Sequence, residues 1–219
     1  MDWELISSSL WPLTRGALAG TIPLALASMA LGLALALLVA LMRLSRVSVV
    51  SGIARAYVSV IRGTPLLVQL FVIFYGLPSI GVTIDPWPSA IIAFSANVGG
   101  YAAEIIRAAI QSVPKGQWEA AHMIGMSHRL ALRRIILPQA ARVSVPPLSN
   151  TFISLVKDTS LASLILVTEM FREAVQIATF SQEFMTLYVE AAVLYWVICL
   201  FLSSGQSVLE RRLDRYVAH

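Results

Sequence analysis

Few side chains in this 219-residue chain are of a type that does covalent chemistry, and their spacing suits none. The three histidines, His122, His128 and His219, form no HExxH pair, and the chain has neither a GxSxG nucleophile turn nor a GxxxxGK[ST] phosphate loop. Cys199 is the single cysteine and lies in an apolar run, so an internal disulfide is impossible and no redox or metal site is suggested. No catalytic residue, no metal ligand and no nucleic-acid partner is predicted. What the chain does hold is polar groups inside apolar stretches. Lys157 and Asp158 fall about halfway along the stretch from Val143 to Thr168, and Gln69, Asn97 and Asn150 stand among hydrophobic neighbours. Charged groups at membrane depth cost on the order of 3 kcal/mol or more each and usually mark a pathway. Lys157-Asp158 therefore reads either as a neutralising pair that pins a helix break or as a binding site for a charged solute. For the three amides the alternative to solute contact is an interhelical hydrogen bond.

Helices that cross a bilayer must position these groups. Hydrophobic residues make up 58% of the chain and the mean hydropathy is +0.77, beyond an ordinary soluble domain. The reading is an all-α, polytopic membrane protein of one domain, residues 1-219. Gaps between charges mark five transmembrane helices: about Gly16 to Met42, Gly63 to Leu77, Pro88 to Ile110, Val143 to Thr168 and Thr186 to Val208. A crossing needs about 20 apolar residues. The fourth stretch has 26, about 39 Å at 1.5 Å per residue against a core of roughly 30 Å. It is expected to bend or break near Lys157-Asp158. Gly99-Gly100 is expected to allow close helix packing, and Glu104 with Arg107 to form a surface ion pair at a helix end.

Orientation follows from the basic residues. With the amino terminus outside, Arg43, Arg46, Arg55 and Arg62 fall in the first inner loop. Arg107, Lys115, Arg129, Arg133, Arg134 and Arg142 fall in the second, and Arg211, Arg212 and Arg215 in the tail. Thirteen of the sixteen basic residues are then inside, as the positive-inside rule requires. The outer segments carry Asp2, Glu4, Asp85, Glu169, Glu173 and Glu183. Met1 to Leu13 lacks a basic n-region, so no cleavable signal is expected.

One stretch breaks the apolar pattern. Residues 119 to 138, EAAHMIGMSHRLALRRIILP, are polar, basic and too irregular to span a bilayer. Trp118, Ala121 and Ile124 recur at near-helical spacing, and Leu130, Ile135 and Ile136 can share a face of a second helical piece. Gly125 suits a left-handed cap closing the first piece, Ser127 can cap the second, and Pro138 closes the segment. Physically this describes a solvated loop with helical bias. Its spacing is more specific: Glu119-Ala120-Ala121, three residues, Gly125, nine residues, Ile135, one residue, then Leu137-Pro138. That pattern resembles the EAA loop of permease subunits in ATP-binding-cassette importers. The resemblance implies a cytoplasmic coupling loop at about 111-138 that docks on an ATPase subunit through Glu119, Ala120, Ala121, Gly125 and Pro138.

The likeness extends from about Gly16 to Tyr195. RGTPLLVQ at Arg62, GGYAAEI at Gly99 and KDTSL at Lys157 resemble landmarks of the polar-amino-acid permeases. GQWEAA, LPQAARV, PPLSNTFISLVKDTSLA and Leu194-Tyr195-Trp196 resemble the cystine permeases in particular. This resemblance implies a type I ABC importer permease in the bacterial cytoplasmic (inner) membrane, moving a polar amino acid, L-cystine in the sharpest form, inward. It implies a solute pathway that includes Asp158, and Thr159, Ser154, Gln69, Asn97 and Lys157 are the companion candidates. The chain has no phosphate loop, so ATP and Mg are expected on a separate ABC ATPase subunit. A solute-binding protein and a second, identical permease subunit complete the expected assembly. The alternative is a proton- or sodium-coupled secondary transporter using Glu104, Asp158 and Glu190.

Overall fold

The computed structural model describes residues 3–214, so Asp2, Arg215 and His219 lie outside it. Helix α1 runs unbroken from Trp3–Arg43, with one wide π turn at Ala17–Thr21. It begins well before the expected Gly16. The polar Ser7, Ser8 and Ser9 are accommodated because their hydroxyls donate back to carbonyls three or four residues earlier.

After a short turn the chain enters α2, Ser48–Gly63, which meets α3, Leu66–Ile80, at 106°. The first inner loop expected from Arg43 to Arg62 is therefore mostly helix. Thr64 and Pro65 make the elbow, both in extended backbone, because a residue before proline is pushed out of the helical region.

Helix α4, Pro86–Ser112, packs along α1 and is crossed by α2. Small residues make both approaches possible. A Cβ on Gly32 would stand 2.6 Å from that of Val98. One on Gly99 would stand 2.7 Å from the Tyr57 hydroxyl, and one on Gly100 2.6 Å from Ile61. The packing role expected of Gly99-Gly100 is what the structure shows.

The polar segment folds as α5, Lys115–Met123, and the start of α6, His128–Ile165. Pro138 does not close the segment as expected. It lies in the first turn of the α-helical part of α6, Leu137–Asp158, directly after a π turn at Leu132–Ile136. A proline is tolerated there because its missing N–H falls at a change of hydrogen-bond register. The α-helix tightens to a 3-10 helix after Asp158, over Thr159–Ile165, but the bend expected near Lys157-Asp158 comes later, between Ile165 and Met170. Helix α7, Met170–Ser181, follows at 48°, and α8, Phe184–Asp214, is last.

Three single helices are long and apolar enough to cross a membrane, and the two bent pairs raise that to as many as five crossings; the described residues contain no strand. One core cluster joins α1, α2, α4 and α6 through residues such as Leu24, Ala36, Val58, Phe94 and Val156. A second joins α1, α7 and α8 through Leu13, Met170 and Ala191. Glu169, expected on the acidic outer face, is instead sealed at 0% exposure in this second region. Its carboxylate caps α7, accepting from the N–H groups of Arg172 at 2.7 Å and Phe171 at 2.9 Å. The hydroxyls of Tyr195, at 2.8 Å, and Thr21, at 3.3 Å, also donate to it. Four donors replace the water that an exposed acid would have had.

Candidate functional site

Three helical faces surround a cleft of about 520 Å³. The α2–α3 elbow supplies Arg62, Thr64 and Pro65. Helix α4 supplies Asn97, Tyr101 and Glu104, spaced i, i+4, i+7, and α6 supplies Asn150, Ser154 and Asp158, spaced i, i+4, i+8. Both spacings put three side chains on one helical stripe. Ile110 and Val113 pack with Ile136 and Ala140 at the end that carries the polar segment. From that contact α4 and α6 run antiparallel, so Glu104 lies nearer the polar segment and Asp158 farther from it.

The two ends carry different charge. Glu104 forms the expected pair with Arg107, but as part of a larger cluster. It accepts from Arg43 at 2.6 Å and Arg107 at 3.0 Å, with Arg62 4.0 Å away. Three guanidiniums from three helices meet one carboxylate, a convergence invisible to i,i+3 spacing. Arg62 also lies 5.4 Å from the centre of the Tyr101 ring, holding a partly exposed cation at the cleft wall. Asp158 stands at the last turn of the α-helical part of α6.

The six pathway candidates divide four ways. Asp158, Ser154 and Asn97 line the cleft together. Gln69 braces the elbow instead. Its amide donates to the carbonyl of Ile61 at 2.8 Å and the hydroxyl of Thr64 at 2.9 Å, and its oxygen accepts from Asn97 at 3.2 Å. Thr159 is fully buried and donates to the carbonyl of Val156 at 2.7 Å. Lys157 turns to a different cleft of about 540 Å³ with Tyr188, Tyr195 and Trp196. Successive helical residues point about 100° apart, and no ion pair joins Lys157 to Asp158. Tyr101 and Glu104 follow Asn97 at i+4 and i+7, a signal present in the sequence, whereas Arg62 reaches the cleft from α2, which no spacing reveals.

The polar segment is a capped knob. Gly125 adopts φ +80°, its N–H donating to His122 at 2.9 Å while Met126 donates to Ala121 at 3.0 Å. This is the paired bonding of a Schellman cap. Ser127 accepts from the Leu130 N–H at 3.4 Å. Ala121 is buried, whereas Glu119 and Ala120 are exposed. Ile124 does not share the packed face of Trp118 and Ala121: it ends the helix and is 76% exposed beside Met123 at 87%. Leu130 is likewise exposed while Ile136 is buried, since six residues at about 100° each leave the two on different faces. The knob thus presents an apolar tip that its helical periodicity did not reveal.

Broken helices around a charged cleft, with a capped knob at one end, define a multi-pass membrane permease. The chain belongs to the binding-protein-dependent transport system inner membrane component family, whose model matches residues 31–215. It is 59% identical over 219 residues to the L-cystine transport system permease protein TcyB of Bacillus subtilis (strain 168), covering 100% of this chain and 94% of that protein. It is 38% identical to the L-cystine transport system permease protein TcyL of the same organism, over 86% of this chain and 82% of that one. Its fold matches a crystal structure of an amino acid ABC transporter with histidines at a TM-score of 0.91 and 35% identity, covering 97% of this chain and 99% of that one. Family membership leaves the secondary-transporter reading without support.

Proposed function

We propose that this permease carries L-cystine inward across the cytoplasmic membrane, driven by ATP hydrolysis on a separate ABC ATPase. The carrying observation is the full-length, 59% identity to a cystine permease. The cleft chemistry supports it. An amino acid is a zwitterion, and the cleft offers a carboxylate, Asp158, for an ammonium group and a guanidinium, Arg62, for a carboxylate. Asn97, Asn150 and Ser154 add neutral polar contacts between them. The volume falls within the roughly 300–1,000 Å³ of small-molecule sites.

In this reading the knob at residues 115–138 is the coupling element. Exposed Met123 and Ile124 fill an apolar groove on the ATPase, Glu119 gives an oriented charge, and the Gly125 cap and Pro138 fix its angle on α6. ATP and Mg bind to the ATPase. A solute-binding protein delivers the amino acid at the opposite face, the amino terminus lies outside and the carboxyl terminus inside, and two identical permeases face each other. Reconstitution with the ATPase and binding protein, followed by competition among unlabelled amino acids, tests the substrate. L-cystine should abolish uptake of labelled L-cystine at the lowest concentration. A different amino acid that is transported while cystine is not would refute the assignment.

A further inference from the structure

A third cleft, of about 650 Å³, lies between the last turns of α1 and α4 and the polar segment. No step of transport proposed above uses it. Arg46, Lys115, His128 and Arg129 line it, and no aspartate or glutamate does. Arg46, Lys115 and Arg129 form no ion pair with a described residue. Helix dipoles do not account for their placement. Lys115 is the first residue of α5, and His128 and Arg129 open α6, the ends at which a helix favours an anion over a cation. Three cations that repel one another, two of them placed against a dipole, gain most from a bound anion.

The rest of the cleft narrows the class of anion. Leu41, Ile110 and Leu132 add apolar lining, and Trp118, also in the lining, is stacked on His128 at 4.7 Å between ring centres. Tryptophan favours the headgroup level of a bilayer. A soluble phosphate would satisfy only the basic half, whereas a phosphate carrying acyl chains satisfies both. Basic clefts at the cytoplasmic ends of membrane helices suit anionic headgroups. We propose that this cleft is a binding site for the phosphate headgroup of an anionic phospholipid, linking the knob to the surrounding bilayer.

Native mass measurement of the detergent-purified permease complex tests this, with phosphatidylglycerol, phosphatidylcholine or inorganic phosphate added singly. The wild type should retain phosphatidylglycerol about tenfold or more over phosphatidylcholine, and millimolar inorganic phosphate should not displace it. The triple variant Arg46→Gln, Lys115→Gln, Arg129→Gln should lose that preference, whereas Arg133→Gln, Arg134→Gln, exposed and outside the cleft, should keep it. If the triple variant does not fold, the wild-type comparison of the two lipids still decides. Equal retention of both lipids overturns the proposal. Displacement by inorganic phosphate assigns the cleft to a free anion instead. A triple variant that keeps phosphatidylglycerol but sheds the ATPase makes the patch a protein contact.

Discussion

Asp158 and Lys157 are neighbours in sequence yet line different clefts, which separates two roles that adjacency leaves open. Asp158→Asn keeps size and hydrogen-bonding capacity but removes the charge that would hold a solute ammonium. Because no direct ion pair joins Asp158 to Lys157, the change breaks no contact between them, and folded yield and basal ATPase should stay near normal. Transport should fall roughly tenfold or more, the scale of one lost hydrogen bond to a charged group. Adding Lys157→Met should not restore it. Recovery of transport in the double variant, measured by uptake in vesicles, would show that the two charges act as a structural pair after all.

At the scale of elements, glycines at two places answer different demands. Gly125 is at φ +80° and a Cβ there would meet nothing, so its requirement is conformational and confined to the knob. Gly125→Val should cost about 1–2 kcal/mol locally, leave membrane insertion intact and weaken association with the ATPase. Gly100 sits in regular helix, but a Cβ there would meet Ile61 at 2.6 Å. Gly100→Val should force α2 off α4, open the elbow that carries Arg62 and lower folded yield, by the roughly 1–3 kcal/mol typical of overpacking. Fluorescence size exclusion separates the two: a monodisperse Gly125→Val that still binds the ATPase fully would count against the knob as the coupling element.

For the whole molecule, the least covered long helix is α8. In its most apolar window 11% is buried, against 56% in α4, and Trp196 and Phe201 on it are 62% and 75% exposed. Lipid or a second permease must meet that surface. The intact complex should contain one kind of membrane subunit, present twice, by native mass measurement. A second, different membrane subunit in the purified complex would exclude the identical pair.

Local physics made much of this protein legible from its sequence. Hydropathy placed α4 to within a turn at each end, because burial in lipid is demanded of nearly every residue in a span. Gly125 and Ser127 announced their caps, because a cap depends on backbone geometry within four or five residues. That the fourth stretch bends followed from its length, although the bend falls after Ile165 and not at Lys157-Asp158. Tertiary structure decided what spacing could not reach. Thr64-Pro65 bent a supposed loop into an elbow, and that angle brought Arg62 beside Glu104, where Arg43 also arrives from another helix. It turned Gln69 inward to brace the same elbow and sealed Glu169 beneath Tyr195 and Thr21. Each of these depends on which faces meet across three or more helices, and a one-dimensional pattern specifies a face without specifying its partner.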